Sequence, residues 1–329
     1  MTSRVAAVDC GTNSLRLLLA DVDPDRAELT DVARRMEIVR LGQGVDQTGR
    51  LAPEALARTT GVLREYADVI ADAAAGAVRM VATSATRDAS NTAEFTRQVK
   101  EILGVAPEVL TGSQEAALSF TGATAELAAA PGPAHFRAHF RGPFLVVDIG
   151  GGSTEFVLGQ ATAGGREDAG EPAVQAISVD IGCVRMTERH LHGDPPSAAE
   201  LAAATADIDA ALDAVTGAVP VRQARTLVGL AGSVTTVAGI AMGLPAYDAS
   251  RIHHARVSAA DVHEATGSLL TQTRAARAAI GVMHPGRVDV IGGGAFILDR
   301  IMQRFGFGEV LVSEHDILDG IAWSLAGEP

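Results

Sequence analysis

One short pattern occurs twice in this chain, and that repeat narrows what the chain can fold into. Residues 5–19 read as an apolar run to Asp9, a turn Cys10-Gly11-Thr12-Asn13-Ser14, and a second apolar run after it. Residues 144–158 read the same way, with an apolar run to Asp148, a turn Ile149-Gly150-Gly151-Gly152-Ser153, and Thr154-Glu155-Phe156-Val157-Leu158 after it. With Asp9 laid on Asp148, Gly11 falls on Gly150 and Ser14 on Ser153. Each copy predicts a β-hairpin whose tip turns backbone N–H groups toward an anion. Two such hairpins imply two related halves facing each other across a cleft, and phosphate as the anion they handle.

The chain has 329 residues, which suits two domains of ordinary size. Hydrophobic residues make up 47% and charged residues 20%, a globular rather than a disordered balance. Aromatics are only 4%, so the cores are aliphatic. The net charge of −13 argues against a nucleic-acid binder and requires local groups or a metal to hold an anionic substrate. Cys10 and Cys183 stand far apart in no ligand spacing, which fits a reducing cytosol. The apolar run before Asp9 is too short for a signal peptide. Residues 226–247 carry no charge, but Gly229, Gly232, Gly239, Gly243 and Pro245 interrupt them. They read as a buried strand, a glycine loop and a buried helix, not a membrane span.

Strands and helices alternate in an α/β pattern. After the first hairpin, residues 37–41 read as a strand, Pro53 opens a long helix, and residues 78–82 form a strand followed by a loop from Thr83 to Asn91. Asn91 caps the next helix, residues 105–110 form a strand, and a helix carrying Glu115 follows. Ala129–Pro143 reads as a surface connection. The second half opens with its hairpin and a charged glycine-rich loop, Ala163–Glu171. A strand at 175–179, helices after Ile181 and Ser197, and a strand at 226–230 come next. The loop Ala231-Gly232-Ser233 leads to a further helix. A strand at 288–291, the loop Gly292-Gly293-Gly294, a helix to Arg304, a strand at 310–312 and a helix from Glu314 complete the pattern. The domains are read as 1–125 and 126–313, with the C-terminal helix 314–329 completing the first.

Phosphoryl transfer needs charge neutralisation on phosphate oxygens and a positioned nucleophile. The amides of Gly11–Ser14 and Gly150–Ser153 can cradle phosphates, and the hydroxyls of Thr12, Ser14, Ser153 and Thr154 add donors. Asp148 and Glu155 flank one turn, where both could face a divalent cation through oxygen. Equally, Asp148 could cap the turn and Glu155 be a solvated strand residue. Glu115 lies just inside a helix N-terminus, where the dipole favours a carboxylate on structural grounds alone. Arg87 offers bidentate contact to phosphate, or a surface ion pair with Asp88. Cys10 and Arg16 have the Cys-x5-Arg spacing of cysteine-dependent phosphatases, but the apolar strand after Arg16 replaces the helix of that scaffold. Cys10 reads as a small hydrophobe at a tight turn. The tract Arg251-Ile252-His253-His254-Ala255-Arg256 is basic enough to guide a polyanion or to be a solvated face. Its adjacent histidines would point apart in a helix or a strand.

The order of hairpins and glycine loops resembles the actin, sugar-kinase and heat-shock chaperone superfamily, whose domains are ribonuclease H-like. Within it the chain resembles the exopolyphosphatase and guanosine pentaphosphate phosphatase (Ppx/GppA) family in its short two-domain form. The segments that carry the likeness are Asp9–Arg16, Thr83–Arg87, Gly112–Ala116, Asp148–Glu155, Gly182–Glu188, Ala231–Thr236 and Arg287–Gly293. The resemblance implies two actin-like domains with a cleft between them, and Glu115 as the base that activates water. It implies Arg87 as the phosphate-binding arginine that neutralises charge together with the metal, and Asp148, Glu155 and Asp9 as ligands of Mg2+ or Mn2+. It places Gly11, Thr12, Asn13, Ser14, Arg16, Gly150, Gly151, Gly152, Ser153, Thr154, Gly232 and Ser233 around phosphate, with Gly292-Gly293 framing the far side. The activity implied is release of terminal orthophosphate from polyphosphate by a cytosolic homodimer. The alternatives are removal of the 5′ γ-phosphate of pppGpp at the same site, an ATP-binding kinase-like protein, and a non-catalytic polyphosphate or nucleotide sensor.

Overall fold

The computed structural model of the chain describes residues 2–129, 142–161 and 174–326. They form two compact units, one from 2–129 and 316–326, the other from 142–160 and 174–315. The expected connection Ala129–Pro143 lies largely outside the described residues, and the loop Ala163–Glu171 wholly so.

The first unit is built on a five-stranded sheet, β1 (Ser3–Cys10), β2 (Ser14–Asp23), β3 (Glu28–Ile38), β4 (Ala77–Ala82) and β5 (Glu108–Val109), in the order β3-β2-β1-β4-β5. β1 pairs antiparallel with β2 and parallel with β4. Alternate residues of β1 serve opposite faces, as strand geometry dictates. Ala6, Val8 and Cys10 pack with Leu63, Tyr66 and Phe95 of the helices Pro53–Asp72 and Thr92–Leu103. Val5 and Ala7 pack with Ile317, Leu318 and Ile321 of the last helix, Ile317–Leu325.

The second unit repeats the plan. Its strands are β6 (Phe144–Ile149), β7 (Thr154–Gly159), β8 (Gln175–Val179), β9 (Thr226–Leu230), β10 (Arg256–Ser258) and β11 (Glu309–Val312). The sheet order is β10-β11-β9-β6-β7-β8. Read from the β8 edge, it runs third, second, first and fourth strand of its unit, as the first sheet does from β3. The repeat seen at the hairpins therefore extends to the sheets that carry them.

Several local expectations are corrected. The segment after β4 is not a loop: Ser84–Asp88 is a short helix. Asn91 does precede the helix Thr92–Leu103, but its side chain bonds both backbone groups of Leu51 instead of capping it. The boundary expected after residue 125 falls inside the helix Gly112–Ala129. Residues 288–291 form no strand, and Gly292-Gly293-Gly294 is no loop. All three glycines lie in the first turn of the helix Ile291–Phe305. They are small for packing: a Cβ on Gly294 would lie 2.1 Å from Ser233 Oγ, and one on Gly293 2.8 Å from the Cys183 carbonyl oxygen. The uncharged stretch 226–247 becomes β9 and the helix Ala231–Ala241, with no glycine loop between them. Among the described residues, no helix is long and apolar enough to cross a membrane.

Candidate functional site

Both hairpin tips close in the same way. Gly11 N–H donates to the Ser14 carbonyl at 3.0 Å, and Gly150 N–H to the Ser153 carbonyl at 3.0 Å. These two amides are spent in the turns and are not phosphate donors. Neighbouring carbonyls are held by the protein on one side. Thr12 O accepts from Gly42 N–H, and Asn13 O accepts from Val39 and Arg40 N–H. Gly150 O accepts from Cys183 N–H, and Gly151 O from Val184 and Arg185 N–H. Gly152 O accepts from Arg185 Nε. In a planar trans peptide, N–H and C=O point in opposite directions. The amides of Asn13, Ser14, Gly151, Gly152 and Ser153 are therefore turned away from the groups that hold the loops. Gly182 is required beneath the second loop, because a Cβ there would lie 2.4 Å from the Gly151 carbonyl oxygen.

Strand register decides what stands beside each aspartate. In the first copy Asp9 pairs across the strands with Arg16, and in the second Asp148 pairs with Glu155. Cross-strand partners share a face of the sheet. Arg16 accordingly donates through Nε and Nη2 to Asp9 Oδ2, at 2.9 and 2.6 Å, and through Nη1 to Asp316 Oδ2. Arg16, expected at the phosphate, is engaged by two carboxylates of its own unit. Burial raises the Asp9 carboxyl above its ordinary range, against the opposing effect of Arg16. Its Oδ1 is buried and accepts no hydrogen bond, and so is Asn13 Oδ1.

Asp148 and Glu155 are both buried, at 7% and 1% exposure, so Glu155 is not the solvated strand residue of the simpler reading. Ser178 Oγ donates to Glu155 Oε1 at 2.7 Å. Two like charges directly opposite on a sheet are unfavourable unless a cation answers them. A pair of buried oxygen ligands suits a hard divalent ion. The donor set thus fits Mg2+ or Mn2+.

On the first unit, Arg87 closes the short helix after β4 and Glu115 opens the helix Gly112–Ala129. Arg87 Nη1 donates to the Leu110 carbonyl at 2.9 Å and to Glu115 Oε2 at 3.1 Å. Arg87 thus pairs with the carboxylate named as base, 28 residues away in sequence. Thr12 Oγ1 shares a 2.8 Å hydrogen bond with Ser84 Oγ, which joins the hairpin to that short helix.

Other expected residues fall differently. The Thr154 hydroxyl donates to the Ile181 carbonyl, so its one proton is unavailable to phosphate. Gly232 and Ser233 lie in the first turn of the helix Ala231–Ala241. A Cβ on Gly232 would lie 2.2 Å from Arg287 Cζ, so glycine is what admits that guanidinium. Arg287 Nη1 also donates to Thr236 Oγ1 at 3.3 Å. Sequence reading gave Arg287 no role, although it heads one of the matched segments. His253 and His254 do not point apart. Their rings stack at 3.7 Å, because His254 sits in a turn at φ 61°, in neither a helix nor a strand. Arg256 is paired with Glu309. Cys10 is fully buried, and burial together with Asp9 pushes its thiol up, so it supplies no thiolate.

A hairpin of the same build on each unit, an Arg–Glu pair on the first and buried cross-strand carboxylates on the second define an α/β protein of two like-built units. Comparison with known proteins gives the family. The Ppx/GppA phosphatase family model matches residues 19–328. Exopolyphosphatase 2 of Mycobacterium tuberculosis is 49% identical over 99% of both chains. A crystal structure of an exopolyphosphatase-like protein shares 42% identity over 98% of each chain, with a TM-score of 0.90. The Aquifex aeolicus PPX-GPPA enzyme shares 28% identity, covering 98% of this chain and 100% of its own, with a TM-score of 0.76. The chain belongs to the Ppx/GppA phosphatase family.

Proposed function

We propose that this protein is an exopolyphosphatase that releases terminal orthophosphate from inorganic polyphosphate. The observation that carries the reading is the hydrogen bond from Arg87 Nη1 to Glu115 Oε2. In this reading that bond joins the cation that binds phosphate to the group that accepts the proton, both on the unit that carries the first hairpin. The 49% identity to a protein named an exopolyphosphatase supports the choice of substrate.

In this reading the amides of Asn13, Ser14, Gly151, Gly152 and Ser153 bind phosphate oxygens. Arg87 orients the terminal phosphoryl group. Glu115 accepts a proton from a water molecule as the water oxygen bonds to the terminal phosphorus. The phosphoanhydride P–O bond breaks in line, and its bridging oxygen leaves with the shortened chain. Asp148 and Glu155 would hold a divalent cation on the second unit, and Asp9 Oδ1 is an oxygen ligand atom of the first. When bound, that ion supplies charge neutralisation on the phosphate oxygens. The reading also carries a cytosolic location and a homodimer, checked by cell fractionation and sedimentation.

The test is phosphate release with Mg2+ from long polyphosphate, short polyphosphate and pppGpp in parallel. Release from polyphosphate supports the proposal. Release from pppGpp alone would replace it with alarmone hydrolysis.

A further inference from the structure

Arg16 is bound on one side by the hairpin residue Asp9 and on the other by Asp316, which lies 300 residues away in sequence. Asp316 is buried, and both its carboxylate oxygens and its N–H are hydrogen-bonded. Its Oδ2 accepts from Arg16 Nη1, its Oδ1 accepts from Leu318 N–H at 3.0 Å, and its own N–H donates to Asp319 Oδ2 at 2.9 Å. Asp319 is held in turn by Arg34 of β3, Nη2 to Oδ1 at 2.6 Å. The N-terminus of the last helix is thereby fixed to the sheet at two points, Arg16 on β2 and Arg34 on β3.

The same residue rests on the helix that carries Glu115. A Cβ on Gly122 would lie 1.8 Å from the Asp316 carbonyl oxygen, and one on Gly320 2.0 Å from the Leu118 carbonyl oxygen. The two helices therefore meet backbone to backbone through a pair of glycines. Asp316 touches both the support of Asp9 and the helix of Glu115, within one compact unit.

We propose that Asp316 is a positioning residue for the reaction. Through Arg16 it fixes the Asp9 carboxylate, leaving Oδ1 to take a partner from outside the chain, and it sets that carboxylate relative to Glu115. Arg16 in this assignment orients Asp9 and is not a ligand of the substrate. Two of its nitrogens meet Asp9 and the third meets Asp316, so all three are directed at carboxylates. The proposal rests on the phosphatase reading of this site, because positioning has meaning only for a reacting site.

The test is a double-substitution cycle of Asp9→Asn and Asp316→Asn. Asparagine also caps helices, so Asp316→Asn preserves the start of the last helix while removing the charge that Arg16 meets. Two quantities are read: kcat and KM on polyphosphate, and Mn2+ affinity by electron paramagnetic resonance without substrate. Asp316→Asn is expected to lower kcat on the order of tenfold to hundredfold with KM little changed, as misplacement of a reacting group does. It is also expected to weaken Mn2+ binding. The double variant should fall no further than Asp9→Asn in either readout, because coupled residues are non-additive. Losses that add, or wild-type behaviour of Asp316→Asn in both readouts, would overturn the proposal. Absence of wild-type turnover on polyphosphate would instead sink the functional reading, and with it the role in the reaction, while the Mn2+ arm would still decide whether Asp316 orients Asp9.

Discussion

Arg87 Nη1 lies 3.1 Å from Glu115 Oε2 and donates to it, while the same nitrogen donates to the carbonyl of Leu110. The carbonyl anchors the guanidinium at the start of the segment between β5 and the Glu115 helix. The carboxylate is then held at a defined place beside a cation. Glu115→Gln keeps the shape and removes the proton acceptor. It is expected to lower kcat by about 10²–10⁴-fold, the usual worth of a general base, while KM for polyphosphate moves only a few fold. Arg87→Lys keeps a charge but loses the planar fork, so it should raise KM and lower kcat together. Steady-state phosphate release measures both.

Asp148 and Glu155 pair across β6 and β7 and are both buried. If their mutual repulsion is what a divalent ion relieves, Mg2+ should raise the melting temperature of the wild type by mass action. Glu155→Gln removes one charge of the pair. It should melt higher than the wild type in chelator, and Mg2+ should shift it little. Thermal melts of both proteins with and without Mg2+ check this, and an equal Mg2+ shift in both would contradict it.

Local pattern and register made much of this molecule legible before its structure. The strands at 175–179 and 226–230, both hairpins, and the helices opened by Pro53 and Ser197 follow from apolar periodicity and capping residues. The pairing of Asp148 with Glu155 was readable as two carboxylates flanking one turn. What could not be read depends on contacts distant in sequence. Gly292-Gly293-Gly294 looks like a loop until Cys183 and Ser233 are found packed against it, where only glycine lets helices approach so closely. Arg16 looks like a phosphate ligand until Asp316 is found beside it. A local signal for Asp316 did exist: Asp316-Ile317-Leu318-Asp319 ahead of an apolar run is a capping box. The cap was legible and the arginine it binds was not.

Glu200 provides a test of stability against pH. It accepts from the amides of Ser197, Gly193 and His192, and these bonds, with Ser197 foremost, lower its carboxyl from 4.5 to about 2. A depressed folded value stabilises the fold above the unfolded value, and the gain is lost as pH falls through the folded one. Glu200→Gln should therefore melt below the wild type at pH 7. The gap should close between pH 4.5 and about 2, as melts across that range would show.

Glycine substitutions separate packing from backbone entropy. Gly122→Ala and Gly320→Ala place a methyl against the Asp316 and Leu118 carbonyls, so each should destabilise by about 1–3 kcal/mol or more and lower turnover. Gly267 lies in the helix Ala259–Thr271 with nothing within 4 Å of a Cβ. Gly267→Ala should stabilise by about 0.5–1 kcal/mol. Urea denaturation of the three variants ranks them.

Cys10 gives a simple control on mechanism. Its thiol is buried and pushed above its ordinary value by burial first and Asp9 second. Alkylating reagents should leave turnover unchanged, whereas a cysteine-dependent phosphatase would be inactivated by them.

The most direct measurement is orthophosphate release by the purified protein from polyphosphate with Mg2+, run beside the Glu115→Gln variant. The account predicts steady release by the wild type, abolished by chelator and reduced by two orders of magnitude or more in the variant, on the order set by general-base catalysis. Release that survives Glu115→Gln, or no release by the wild type from polyphosphate, would contradict it.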